Sequence, residues 1–375
     1  MQPPCPPSAD VLVIGGGVAG LSVARLLAEG GATVVLAEAA RLGAGASGQG
    51  HGQVLLGLIE HPHSVLSALG LQRAGVLYGL GRDSHALLDA WQLLEHRGGW
   101  WIAGDAREGP QLRRSAEALE ALGLDAQLRE PEQVVGETTL EGAGPGLFLP
   151  GEATVDPAQA LRTLARAARI AGVLICEQAP VEHVGEGSGG LQIHLGGGGH
   201  VLAAEIVVYA GGAQLPALEP FFGDKLVPVR EQAQLRAPGP IPPPGGRSGY
   251  GYSWWRPRGG LLEAGGCRWA TPHLEIGETR AEVIEIVQEK IGAFASRIGG
   301  PQRTIVSRRA WIEAHTCDGL PLIGPLPGAA RHVVCAGFCG NDWGLAPGAA
   351  RAVAQGLLLE GHSTVPPLFA ATRFL

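Results

Sequence analysis

Gly15, Gly17 and Gly20 form a G-x-G-x-x-G run between the apolar stretch VLVI and a segment with helical periodicity. A second β-branched run, TVVL, follows and ends at Glu38. The pattern predicts strand, tight turn, helix, strand. Each position has a physical job. Gly15 permits the turn, Gly17 lets backbone approach a pyrophosphate, and Gly20 lets helix meet sheet. The helix opening at Val18 and Ala19 offers unpaired N–H groups to an anion. Glu38 takes ribose hydroxyls, and its charge repels a 2′-phosphate, so NADP is disfavoured. A dinucleotide-binding unit is therefore expected at the N-terminus.

The rest of the chain must be built around that unit. With 375 residues there is room for two or three domains, and 45% hydrophobic residues can fill their cores. A helix from Pro157, with Leu161, Leu164 and Ala168 on one face, leads into a strand from Gly172. LQIHL, a turn at Gly196–Gly199 and HVLAAEIVVY then read as a hairpin. Residues 64–145 look helical, with Leu87, Leu88, Trp91 and Leu94 in register, and 221–307 look strand-rich. The latter region carries the loop APGPIPPPGG and one helix, Thr279 to Ile298. His61 and His63 flank a proline and read as a loop.

Several function classes are disfavoured. The net charge is −7, with no basic stripe to meet nucleic acid. The six cysteines are scattered without C-x-x-C spacing, so free thiols in a reducing compartment are expected. Cys335 and Cys339 lack a second pair, which argues against a metal site. The longest uncharged apolar stretch, Val11 to Ala24, is 14 residues, too short to span a bilayer. The start, MQPPCPPSAD, is unlike a leader. A cytoplasmic protein without membrane contact is expected; its oligomeric state cannot be read.

The segment RLGAGASGQGHGQV, directly after Glu38, resembles the second FAD-contacting segment of the D-amino-acid oxidase family, in its glycine, sarcosine and γ-glutamylputrescine oxidase branches. The likeness recurs in the stretch ending at Val181, in IVVYAGGAQ, in YSWWRPRGGLLEAGGCRWA, and in DGLPLIGPLP with HVVCAGFCGNDWGLAPGAARAVAQGLL. These segments span nearly the whole chain. The resemblance implies an α/β fold, α+β overall: a discontinuous Rossmann-like FAD-binding domain (1–80, 150–220 and 308–375) with an inserted, mainly antiparallel β substrate domain (81–149 and 221–307). It places FAD along Gly15, Gly17, Val18, Ala19 and Gly20, then Glu38 and Ala39, then Gly45, Ala46 and Ser47. Val181 and Gly211 follow. The flavin ring would lie where Gly50, His51, Gly52 and Gln53 meet Gly337, Gly340, Asn341, Asp342, Trp343 and Gly344. The implied chemistry is oxidation of the C–N bond of a small amine or amino acid: a hydride passes from the α-carbon to flavin N5 and the imine hydrolyses. Oxygen or another acceptor then takes the electrons.

Departures from the family pattern bear on substrate. Where the family holds the substrate carboxylate with an Arg, this chain has Glu313. Two carboxylates ~4 Å apart at an effective dielectric of ~20 repel by about 4 kcal/mol. Glu313 would instead face a cationic or amino group, with Tyr252 or Trp254 supplying cation–π contact. Alternatively Glu313 pairs with Arg308 or Arg309 and another Arg, such as Arg268, anchors a carboxylate, as in a glycine-type oxidase. The positions for covalent flavin attachment hold Trp311 and Gln49, so non-covalent FAD is expected. His51 is either a substrate contact or a loop histidine. Asn341 is a further candidate catalytic residue beside the flavin, while Asp342 either opposes negative charge on it or points to the amine. Glu263 replaces the oxygen-activating Lys of sarcosine oxidases. A catalytically silent flavin-binding subunit is the alternative from another class.

Overall fold

The computed structural model describes residues 5–138, 143–187, 189–196, 200–237, 244–300, 304–359 and 365–375. Most of the glycine-rich turn at 196–199 and of the Pro/Gly loop at 237–246 lies outside them, as does the start of the chain.

The N-terminal unit folds as its pattern predicts. Strand β1 (Ser8–Ile14) feeds helix α1 (Val18–Glu29), which returns to strand β2 (Val34–Ala37), parallel to β1. A Cβ on Gly20 would run into the Gly15 carbonyl, so only glycine allows α1 to start this close to the sheet. β1 and β2 sit inside an eight-stranded sheet that runs 322–326, 329–336, 200–209, β1, β2 and 174–176. The hairpin of Val181–Gly187 and Gly190–Leu195 is joined to 200–209. The helix Pro157–Ile170 buries Leu161, Leu164 and Ala168, and the Asp156 carboxylate accepts from the Gln159 amide to cap it. α1 packs on the C-terminal helix Asp342–Leu358, which packs in turn on Pro62–Ala90.

A second eight-stranded sheet runs 305–316, 226–236, 261–266, 253–258, 246–248, 99–102, 146–149 and 127–129. It is antiparallel except where 246–248 lies parallel to 99–102. Its longest strand, Ile305–Thr316, straddles residue 308 and pairs with Leu226–Arg236 along its length. Gln53 ties this sheet to the segment after β2, its side-chain amide donating to the carbonyls of Gly246 and Trp255 at 3.0 and 2.9 Å.

Four expectations need correction. Residues 64–145 are not helical throughout: the strands Gly99–Ile102 and Gln127–Arg129 interrupt them. The helix expected from Thr279 begins at Glu285. The Glu278 carboxylate accepts from the Thr279 and Arg280 amides, and Gln232 takes the Ile284 amide, so that stretch is held in other bonds. Pro62 opens a helix rather than a loop, and His61 is buried, stacked on Trp101 at 4.2 Å. Finally, Cys5 and Cys176 form a disulfide: the sheet brings their Cα atoms to 6.1 Å, inside bonding range, although 171 residues separate them. Cys267, Cys317, Cys335 and Cys339 are free thiols.

Candidate active site

A cavity of about 690 Å³ opens over the β1–α1 turn. Gly15 and Gly17 form its floor at one end, and Glu38 and Ala39 stand at the tip of β2. Ser47, Val181, Gly211, Gly337 and Asp342 continue the wall. The first amides of α1 have no partner within the helix, which suits an anion at Gly17 and Ala19. The two Glu38 oxygens accept from the Gly16 and Ala40 amides at 2.7 and 2.8 Å, which fixes the carboxylate at the cavity edge with lone pairs to spare. An elongated cavity with a pyrophosphate-type turn at one end and an acid for ribose beside it fits an adenine dinucleotide.

The strand Ile305–Thr316 separates this cavity from a second space. Successive side chains point to opposite faces, so Ile312 and Ala314 line the dinucleotide cavity while Glu313 enters a cleft on the other side. The cleft is lined by His51, Gln53, Tyr252, Trp254, Arg268 and Glu231, among others. Three strands supply it: Glu231 from Leu226–Arg236, Trp254 from Ser253–Arg258 and Glu313 from Ile305–Thr316. Gly340 closes it, at φ +87°, and a Cβ there would come within 3.0 Å of the Glu313 carboxylate.

The charges in this cleft are arranged in two groups. Glu313, 4% exposed, accepts from Trp311 Nε1 at 2.9 Å and lies 3.3 Å from His315 Nε2. Burial alone would raise its carboxyl, but His315, with Arg268, outweighs it and holds the group well below the usual range. His315 is correspondingly pushed up to about 9: burial opposes its charge, and Cys339 and Glu313 favour it more. Glu231, also 4% exposed, accepts from Trp254 Nε1 at 3.0 Å and from Arg268 Nη1 at 3.1 Å. Its carboxyl is raised, by burial first, with Arg268 opposing and Glu313 adding to the rise.

The family model for DAO, the FAD dependent oxidoreductases, matches residues 10–356. The chain belongs to that family. Among curated relatives of this FAD-dependent family, the tRNA 5-methylaminomethyl-2-thiouridine biosynthesis bifunctional protein of Paraburkholderia phytofirmans is 27% identical, over 92% of this chain and 53% of its own length. The chain thus spans about half of that relative. The glycine oxidase of Geobacillus kaustophilus is 29% identical over 62% of the chain and 63% of its own length. The solved structure of glycine oxidase from Geobacillus kaustophilus superposes with a TM-score of 0.83 at 23% identity, covering 99% of this chain and 100% of that one. The L-proline dehydrogenase of P. horikoshii superposes equally well, TM-score 0.83, at 20% identity over 99% and 98% of the two chains. These likenesses carry the mixed α/β, Rossmann-like fold.

FAD is the cofactor of this family, and the residues around the long cavity fit it. The residues singled out from the sequence divide between the two spaces. Gly15, Gly17, Ala19, Glu38, Ala39, Gly45, Ala46, Ser47, Val181, Gly211, Gly337 and Asp342 line the FAD cavity. His51, Gln53, Tyr252, Trp254, Glu313 and Gly340 line the cleft. Val18, Gly20, Gly50, Gly52, Asn341, Trp343 and Gly344 line neither. Asn341 is such a case: its Nδ2 donates to the Gly57 and Leu55 carbonyls and its Oδ1 accepts from the Gly344 amide, so its amide clamps the C-terminal helix. The expected catalytic role finds no support in that geometry, because none of these atoms faces either space.

His51 accepts from the Gln53 amide at Nδ1 and pairs through Nε2 with the Gly340 carbonyl, both at 2.9 Å. Burial lowers its pKa, and these partners fit the neutral ring with its proton on Nε2. It shapes the cleft with its ring, tilted against Trp254. Asp342 faces the FAD cavity, where Ser47 Oγ donates to it at 3.0 Å, rather than the cleft. Burial raises its carboxyl to about 6. Arg308 pairs with Glu285 and Arg309 with Glu263, so neither is the partner that the sequence offered for Glu313. Glu263 is enclosed by Arg256, Arg258 and Arg309. Glu231 was not visible as a site residue: it lies in REQAQLR, whose polar side chains are buried on both faces and give no periodic signal. Among the described residues no group of three His, Cys, Asp or Glu is placed to hold a metal, and no helix is long and apolar enough to cross a membrane.

Proposed function

We propose that this protein oxidises the C–N bond of a small amino compound that carries a carboxylate, using non-covalently bound FAD. The observation that carries this reading is the facing of opposite charges across one cleft. Glu313 presents a carboxylate held ionised, and Arg268 presents a guanidinium that also lies 5.7 Å from the Tyr252 ring. A zwitterion satisfies both: its nitrogen meets Glu313 and its carboxylate meets Arg268. FAD, when bound, supplies the two-electron acceptor for the C–H bond beside that nitrogen. Trp254, His51 and Gly340 wall the cleft against water and fix how the substrate can lie. Trp311 and Gln49, at the attachment positions of covalent flavins, have no nucleophilic atom, which supports a cofactor released on denaturation.

A second reading, a simple amine, is favoured by one contact: Arg268 is already paired with Glu231. The tRNA-modification relatives extend either reading to an amino group carried on a nucleoside. An anaerobic screen of flavin bleaching near ~450 nm separates them. Bleaching by glycine, sarcosine, L-proline or D-amino acids supports the zwitterion, and bleaching only by mono- and polyamines supports the simple amine. No bleaching by any of them overturns both readings for free amino acids and free amines.

A further inference from the structure

We propose that Glu231 is the base that takes the substrate's ammonium proton, leaving the neutral amine held at Glu313 for oxidation. This rests on the functional reading above and assigns the two cleft carboxylates different work. In the step, one N–H bond of the bound ammonium breaks, its electron pair stays on nitrogen, and an O–H bond forms on Glu231. The proton is conserved within the cleft.

The geometry separates the two acids. They come from paired strands, where Val229 lies opposite Glu313 and Glu231 opposite Trp311, so both side chains rise from one face of the sheet. Glu313 is backed by two donors on its own strand, the Trp311 indole and His315. That support holds it as an anion, suited to attract a cation and poorly suited to keep a proton. Glu231 draws its support from other elements, and one donor is an Arg that a substrate carboxylate can engage. Its donors, Trp254 Nε1 and Arg268 Nη1, occupy two of about four acceptor positions on a carboxylate. When a substrate carboxylate takes over Arg268, Glu231 loses the cationic partner it has among the described residues, and a buried carboxylate without one favours protonation. The same substrate thus frees Arg268's partner and supplies it with a proton.

The other charged groups facing Glu231 support this ordering. Arg268 comes from the turn after Leu261–Gly266, and Glu313 from the neighbouring strand, with His315 behind it. Arg247 lines the same cleft but is held by both oxygens of Glu152 at 2.8 Å. His51 carries no charge, since burial lowers it and both ring nitrogens face backbone. The upward shift of Glu231 places its proton affinity closer to neutrality than an ordinary carboxyl, which is where a general base works best.

The test uses the FAD-loaded protein and whichever of glycine, sarcosine, L-proline and D-alanine bleaches it. In weakly buffered solution at about pH 8, with a pH indicator, both proteins should bind that compound with little net proton release, because the ammonium proton passes to Glu231 in wild type and stays on nitrogen in Glu231→Gln. In rapid mixing, Glu231→Gln should bleach about a hundredfold more slowly at the same pH, and recover as pH approaches the free amine's own pKa, because water then removes the proton. A purely structural loss would not recover with pH. About one proton released by wild type, or an unchanged bleaching rate in Glu231→Gln, overturns the proposal. If Glu231→Gln does not retain flavin, the pH profile of wild-type bleaching decides: half-maximal bleaching well below the free amine's own pKa supports the proposal, and half-maximal bleaching at that pKa overturns it. If none of the four compounds bleaches the flavin, the functional reading fails and the proposal with it.

Discussion

At the scale of single residues, the cleft is an electrostatic device whose parts can be removed one at a time. Glu313→Gln keeps the shape and the Trp311 contact but removes the charge. A charge-assisted hydrogen bond contributes about 1.5–3 kcal/mol, so KM for an amino substrate should rise about ten- to a hundredfold. Steady-state kinetics check this, and an unchanged KM would mean Glu313 does not meet the substrate. His315 gives a second prediction, on stability. Its folded pKa lies above the ordinary value, so its contribution is complete below the unfolded pKa of about 6.5 and is lost as pH rises through about 9. The melting difference between wild type and His315→Gln should therefore be largest at and below about pH 6.5 and shrink as pH rises through about 9. Glu313 was legible in the sequence because a family motif marked its position. Arg268 was legible only as one of several arginines, and Glu231 not at all, because their meeting depends on strand register across 37 residues.

At the scale of elements, what the sequence showed well was local. The β1–α1–β2 unit and the helix from Pro157 carry their signals within a few turns: spacing, an N-cap acid and a glycine at a close approach. What it hid was non-local. GWWI at 99–102 is four buried residues in a row, without alternation, and its identity as a strand comes from partners at 146–149 and 246–248. The C-terminal helix shows how such contacts fix an element. Asn341 caps it and also carries the Leu55 and Gly57 carbonyls, all within the interior. Asn341→Ala should cost about 2–4 kcal/mol, the sum of a lost cap and carbonyls left without donors. Chemical denaturation measures it. A loss within ~0.5 kcal/mol would show that the clamp is dispensable.

At the scale of the whole molecule, the FAD cavity gathers residues from Gly15, Glu38, Ser47, Val181, Gly211, Ala314 and Gly337, so both sheets and both halves of the chain contribute to it. A ligand filling such a space binds only when these segments are assembled together. Its binding energy is therefore folding energy for the entire chain. With FAD at about a hundred times its dissociation constant the gain is about 2.7 kcal/mol, which for a chain of this length raises Tm by about 3–4 °C. The apoprotein should melt lower and climb with added FAD in one transition, followed by far-ultraviolet circular dichroism. Two separate transitions, only one of them moved by FAD, would show that the second sheet folds without help from the cofactor. In that case Glu231, Glu313 and Arg268 would reach their places before FAD arrives, since all three lie on the second sheet or the turn beside it.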